Sequence, residues 1–273
     1  MKKIKKFSFQ GVNGAYSEQA GYTLYPSATS IPCPTFEEMF EQVRIGEADA
    51  AMVPIENSLA GRVADTQRLI PDSKLKITSE YFFEVNHNLL GIKGSKISDV
   101  KRVHSHEQGI AQCRNNILKL NKKMIIEADT AGSAKIISEL NNVEDAAIAS
   151  KLAAKIYNLQ ILQDNFQDIA NNVTRFLVMQ KKLVDVDVNS KQIITTLVFN
   201  VRSIPAALYK CLGGFASNGV NITKLESYIH PQGFDVAQFY IDFEGHPESP
   251  SVKLALEEMK FFCKHLNILG VYE

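Results

Sequence analysis

Residues 172–176 read Asn172-Val173-Thr174-Arg175-Phe176, an amide, a hydroxyl and a guanidinium within four residues at the head of a short apolar run. This is where chemistry is expected. On extended backbone side chains alternate between faces, so Asn172 and Thr174 point one way and Val173 and Arg175 the other. Taken alone, Thr is explained by its β-branched fit to a pleat and Arg by solubility. The segment gains weight from the elements that would position it.

Those elements read first as repeated strand, turn and helix. Lys6 to Gln10 is a short buried strand, Gly11-Val12-Asn13-Gly14 turns, and Ser17 is placed to cap a helix to about Tyr25. Thr35 with Glu38 makes a capping box for a helix ending near Gly46, and Ala50 to Val53 follows as a strand. That strand runs into the polar cluster Pro54-Ile55-Glu56-Asn57-Ser58, and ligands of open α/β sheets sit at such carboxyl ends. Leu75 to Leu90 is extended chain long enough to leave one lobe for another, with the boundary near Phe82. Three further strands, at 101–104, 124–128 and 146–149, lead to Ser105, Asp129 and Ser150, each an expected helix cap. Their turns should open on one edge of a parallel sheet, with free N–H groups toward a cleft. The opening segment, continued by Phe176 to Met179, is then the second crossing between lobes and lies at the cleft floor.

After the Asp-rich stretch Leu183 to Lys191 the pattern changes. Ile193 to Val201, a helix opened by Pro205, Asn221 to Tyr228, Phe234 to Phe243, a helix capped by Ser251 and Ile268 to Tyr272 give the order βαββαβ, a ferredoxin-like arrangement. One sheet face or edge left uncovered predicts self-association as a homodimer or homotetramer.

Bulk properties exclude several classes. Thirty basic and thirty acidic side chains cancel, so no global field draws the chain to nucleic acid. No apolar run approaches the ~18 residues that span a bilayer and no signal segment is read, so a cytoplasmic protein without a membrane partner is expected. Cys33, Cys113, Cys211 and Cys263 are scattered with no paired spacing, so no metal site is expected.

Together the motifs resemble those of bacterial prephenate dehydratases with a C-terminal ACT regulatory domain, over nearly the whole chain. Gly11 to Ser17 is similar to the family's Gly-rich opening, Pro54 to Ser58 to its Glu-Asn-Ser element, and Ser105 to Cys113 to its Ser-His element. Asp129 to Ala134 is similar to its Asp-Thr-Ala element and Asn172 to Phe176 to its Thr-Arg-Phe signature. The resemblance implies an α/β fold, with a two-lobed catalytic domain like type 2 periplasmic binding proteins over 1–190 and a ferredoxin-like ACT domain over 191–273. Lobe 1 would be about 1–82 with 174–190, and lobe 2 about 83–173. It implies conversion of prephenate to phenylpyruvate, water and carbon dioxide without a cofactor, with L-phenylalanine as effector.

By the same resemblance the catalytic residues are Thr174, Arg175, Asn57, Ser105 and Gln112. Thr174 would stabilise the leaving hydroxyl and Arg175 would neutralise substrate charge, gripping the side-chain carboxylate rather than the one that departs. Glu56, Ser58, Asp129, Asn172, Phe176 and Ser17 would support them, with Glu56 and Asp129 orienting donors or capping helices and His106 packed as a structural imidazole. Ala206, Ala207, Leu208, Asn221, Glu226 and Ser227 would form the phenylalanine site. There the family's Gly-Ala-Leu stands as Ala206-Ala207-Leu208 and its Glu-Ser-Arg-Pro as Glu226-Ser227-Tyr228-Ile229, losing a glycine and a fixed cation. Arogenate dehydration and non-catalytic amino-acid sensing are the alternatives; the Thr174-Arg175 pair favours chemistry over sensing.

Overall fold

The computed structural model describes residues 3–229 and 237–273, and the chain divides into two compact units. One holds the residues up to Thr66 together with Tyr81–Phe176; the other holds Gln67–Glu80 and Leu177–Glu273.

In the first unit, strand Lys6–Gln10 pairs in parallel with Thr29–Cys33 on one side and Ala50–Asn57 on the other. Phe7, Phe9, Met39, Phe40, Val43 and Met52 are buried around it, which fixes the apolar faces of these elements. Thr35 accepts the Glu38 N–H at 3.1 Å to start helix Phe36–Ile45, and Gly46 ends it at φ 92°, as the pattern predicts. The helix after the first turn is Tyr16–Leu24, with Ala15 at the cap. Ser17 therefore lies inside the first turn and caps nothing. The work at this turn is done by Glu18, whose carboxylate accepts the Gly14 N–H at 2.6 Å.

The same unit carries a five-stranded sheet in the order Gln160–Gln163, Asn88–Gly91, Asp145–Ala149, Arg102–His106, Lys123–Glu127. The last three strands are parallel and Asn88–Gly91 is antiparallel to both of its neighbours, so the sheet is mixed rather than wholly parallel. The three parallel strands run into helices Glu107–Gln112, Thr130–Leu140 and Lys151–Ile156, and their starts share one edge. Asp129 and Ser150 cap the second and third, accepting N–H groups of Gly132 (2.6 Å) and Ala153 (2.9 Å). Ser105 is not a cap. It is the penultimate strand residue, fully buried, and donates to the Ile148 carbonyl at 2.8 Å; His106 caps instead, its Nδ1 accepting the Gln108 N–H at 3.2 Å.

The single helix expected after it is broken at Cys113 into Glu107–Gln112 and Arg114–Lys119. Asp168, from the far end of the sheet, accepts the N–H groups of Asn115 and Asn116 at 2.8 and 2.9 Å and so starts the second piece.

The second unit contains Ile194–Val201, helix Ala207–Ser217, Ile222–Ile229, Ala237–Glu244, helix Pro250–Phe262 and Cys263–Tyr272, the βαββαβ order read from the sequence. The strands order as Ile222–Ile229, Ala237–Glu244, Ile194–Val201, Cys263–Tyr272, all antiparallel. Leu197, Phe199, Cys211, Phe215, Ile241, Phe243 and Met259 close the core beneath the helices. Gly270 of the last strand pairs in parallel with Ile77, adding strand Lys76–Glu84 to this sheet. The expected third strand began at Phe234, which lies outside the described residues; within them it runs from Ala237. The second helix starts after Ser249, whose hydroxyl donates to the His246 carbonyl rather than capping, with Pro250 in the first turn, so Ser251 is already helical. Among the described residues no helix is long and apolar enough to cross a membrane.

Candidate active site

A cavity of about 370 Å³ lies in the first unit, and three helix starts meet there: Ala15 to Ser17, His106 to Gly109, and Asp129 with Thr130. The first N–H groups of a helix have no intrahelical acceptor, so such starts favour anions. Pro54, Val63, Val85 and Phe176 make an apolar wall, and Asn57, His87, Gln112, Asn172 and Thr174 a polar one. Asp129 is the one carboxylate in the lining, which contains neither Lys nor Arg among the described residues.

The polar wall is a continuous chain of hydrogen bonds. Asn57 Oδ1 accepts the backbone N–H groups of Leu59 (3.0 Å) and Ala60 (2.8 Å), which fixes the orientation of its amide. Its Nδ2 then donates to Asn172 Oδ1 at 2.7 Å and to Thr174 Oγ1 at 2.9 Å. Asn172 Nδ2 donates to Gln112 Oε1 at 2.9 Å, and the same oxygen lies 2.7 Å from His87 Nε2. His87 Nδ1 is 2.7 Å from the Tyr16 hydroxyl. Thr174 thus uses its oxygen as an acceptor inside the wall and keeps its hydroxyl hydrogen for the cavity. Burial lowers the His87 pKa against the opposing bond from Gln112, so the imidazole is held toward its neutral form. Burial, aided by Cys113, raises Tyr16 well above the ordinary tyrosine range, so it stays a phenol.

The sequence candidates separate by strand face. Thr174, Asn57, Gln112, Asn172, Asp129, Phe176 and Ser17 all line the cavity. Arg175, Glu56, Ser58 and Ser105 do not. Arg175 is 7% exposed; its Nη1 lies 3.2 Å from Glu56 Oε1 and its guanidinium 6.0 Å from the Phe82 ring centroid. Both partners of that pair are the strand neighbours of cavity residues, and alternation turns them away. Ser58 joins the two strands, its N–H donating to the Val173 carbonyl and its hydroxyl accepting the Val173 N–H. His106 lines the cavity as a helix cap, half-buried rather than packed.

Tyr16, His87 and Gln108 also line the cavity and were not singled out in the sequence. The available signal for His87 was the polar run Asn86-His87-Asn88 set between Val85 and Leu89-Leu90. In the other unit, Ala206 caps its helix at φ 56° with Ala207 and Leu208 following, whereas Asn221, Glu226 and Ser227 lie at or on strand Ile222–Ile229. The described residues contain no group of three or more His, Cys, Asp or Glu arranged to hold a metal ion.

Residues 7–183 match the family model for prephenate dehydratase. The chain belongs to the prephenate dehydratase family. It is 44% identical, over 97% of its length and 94% of the relative's, to the bifunctional N-acyl-homoserine lactone acylase/prephenate dehydratase of Komagataeibacter europaeus. It is 37% identical to arogenate dehydratase/prephenate dehydratase 1 of Arabidopsis thaliana, over 98% of this chain and 71% of that protein. Among solved structures it is similar to the prephenate dehydratase of Arthrobacter aurescens in complex with L-Phe, at 32% identity and a TM-score of 0.88, covering 98% and 89% of the two chains. It is also similar to GqqA, described as a novel type of quorum quenching acylase, at 44% identity and a TM-score of 0.92, covering 98% and 97%. The family's α/β fold and dehydratase character thus extend to this chain.

Proposed function

We propose that this chain converts prephenate to phenylpyruvate, water and carbon dioxide. The observation that carries the reading is Thr174: its oxygen is engaged by Asn57, so its O–H is the donor offered to the cavity. In the reaction the bond to the ring carboxylate breaks, its electron pair enters the ring, and the ring hydroxyl departs and takes a proton to become water. Aromatisation drives the step, so the enzyme needs a donor at the leaving oxygen and a fixed substrate orientation rather than a strong acid. The side-chain carboxylate would be held by helix-start N–H groups. The departing carboxylate would face the apolar wall, where it is not stabilised against loss.

In this reading residues 1–190 are the catalytic domain and 191–273 an ACT domain that binds L-phenylalanine and makes the homodimer or homotetramer. One observation favours a second substrate: Asp129 is a carboxylate among neutral groups, suited to the ammonium that arogenate carries in place of the prephenate keto oxygen. The test measures turnover of both substrates by the wild type and Thr174→Ala, with and without L-phenylalanine, and includes an N-acyl-homoserine lactone as a control substrate. A loss of kcat of about 10²-fold or more in Thr174→Ala supports the assignment. Undiminished turnover in that variant removes Thr174 from the chemistry, and no turnover of prephenate or arogenate by the wild type removes the reading.

A further inference from the structure

The polar wall has two donors with no protein acceptor among the described residues, the Thr174 hydroxyl and Gln112 Nε2. Both directions follow from groups further back. At one end the Leu59 and Ala60 N–H groups force Asn57 to present Nδ2 to its neighbours, which forces Asn172 to present Nδ2 to Gln112. Gln112 Oε1 therefore already accepts one N–H, and the second atom on it, His87 Nε2, must be a donor as well. A neutral imidazole with its hydrogen on Nε2 has a bare Nδ1, and the Tyr16 hydroxyl, 2.7 Å from that nitrogen and 3.2 Å from the Asn86 carbonyl, gives its one hydrogen to the nearer acceptor. The tautomer is thus fixed by a chain that starts at two backbone N–H groups.

We propose that His87, backed by Tyr16, is a positioning residue: its Nε2–H locks the Gln112 amide so that Nε2 faces the cavity and the Asn172–Asn57–Thr174 chain keeps its direction. A terminal amide turns over readily, and its two orientations differ only in the bonds they make. Without the Nε2–H donor, one of the two groups holding Gln112 Oε1 disappears, and the flipped amide becomes accessible. It would set N–H against the Asn172 N–H and turn Oε1, an acceptor, toward an anionic substrate. His87 sits in the wall but is 2% exposed, with Nε2 on Gln112 and Nδ1 on Tyr16, so both ring nitrogens are engaged within the protein and its effect passes to Gln112 and Thr174. This inference rests on the dehydratase reading for its kinetic consequence, and on geometry alone for the tautomer.

The test compares His87→Leu, His87→Gln and Tyr16→Phe with the wild type, on whichever of prephenate or arogenate the wild type turns over. His87→Leu should lower kcat about 10- to 100-fold with KM changed less than about threefold, because the ground state keeps its anion contacts while the donors lose direction. His87→Gln can place an amide N–H where the imidazole Nε2–H sits, so it should recover most of the loss. Tyr16→Phe should cost only a few-fold, since it removes the second support. In parallel, the imidazole 15N spectrum of the wild type should show His87 protonated at Nε2 and bare at Nδ1 at neutral pH. A folded His87→Leu enzyme with unchanged kcat, a Gln variant no better than Leu, or a proton on Nδ1 would overturn the proposal. If the wild type turns over neither substrate, the dehydratase reading has failed, and the nitrogen spectrum, which needs no substrate, decides the relay by itself.

Discussion

Arg175 and Thr174 are adjacent in sequence and have different surroundings. Thr174 meets the cavity, whereas Arg175 is buried against Glu56 and Phe82. Strand alternation predicts that divergence, and the chemical plausibility of an arginine beside a dianion predicts the opposite; geometry decides. Arg175→Leu should therefore act on stability. Glu56 keeps about a third of its side chain exposed, so the loss should be about 1–3 kcal/mol rather than the full penalty of an isolated buried charge. Urea denaturation checks the stability loss, and a large rise in KM at unchanged stability would return Arg175 to the substrate. Asp129→Asn separates two roles in one side chain. Asparagine caps helices as well as aspartate does, so the Thr130–Leu140 helix should hold, while removal of the negative charge should raise kcat/KM for prephenate several-fold and lower it for arogenate. Parallel rises or falls for both substrates would show that Asp129 does not discriminate between them. Asn57, Gln112, Asn172 and Thr174 were legible because motif positions carried them. Tyr16 and His87 were not, because their pairing spans 71 residues and no local pattern encodes it.

At the level of elements, caps were readable where the side chain had only the helix to serve. Thr35, Asp129 and Ser150 cap as their positions predict. Ser105 does not, because a strand carbonyl 43 residues away is a better partner in a buried setting, and the Cys113 break depends on Asp168, likewise remote. The turn before the first helix shows the same dependence on distant chain. Gly14 sits at φ 96°, and an added Cβ would lie 2.8 Å from both Cα and Cβ of Ala153, while its carbonyl accepts the Ser150 hydroxyl at 2.6 Å. A side chain there meets a left-handed backbone and a backbone neighbour that cannot yield. Gly14→Ala should cost about 2–5 kcal/mol, the sum of ~1–2 for the conformation and ~1–3 for overpacking. Equilibrium denaturation checks it, and a loss below 1 kcal/mol would mean that the Ala153 helix end moves freely to make room. Because Ala15, Tyr16 and Ser17 line the cavity directly after this turn, a surviving variant should also lose kcat.

At the level of the molecule, the sequence divides the chain near residue 190, where composition turns polar and a new strand-helix pattern begins. The compact units cut it differently, because Gln67–Glu80 belongs with Leu177–Glu273. The reason is a single sheet edge. Cys263–Tyr272 pairs with Lys76–Glu84 at Gly270 and Ile77, the Lys76 ammonium donates to the Ile268 carbonyl at 2.8 Å, and Leu75 and Ile77 are buried. Gly270 allows this closeness, since a Cβ there would stand 2.5 Å from the Ile77 carbonyl oxygen. Local periodicity cannot announce a strand pair separated by almost 200 residues. Its consequence is that removal of residues 191–273 is no clean domain excision: it strips one of the two strand partners from Lys76–Glu84, which keeps only Val173–Gln180, and leaves the other edge unpaired. The 1–190 fragment should therefore melt at lower temperature than the whole chain, bind a hydrophobic dye and aggregate at micromolar concentration. Differential scanning calorimetry with dye fluorescence on the two proteins reads the difference. A fragment as stable and dye-silent as the full chain would mean that pairing with Val173–Gln180 alone holds the strand, and that the boundary near 190 is the physical one.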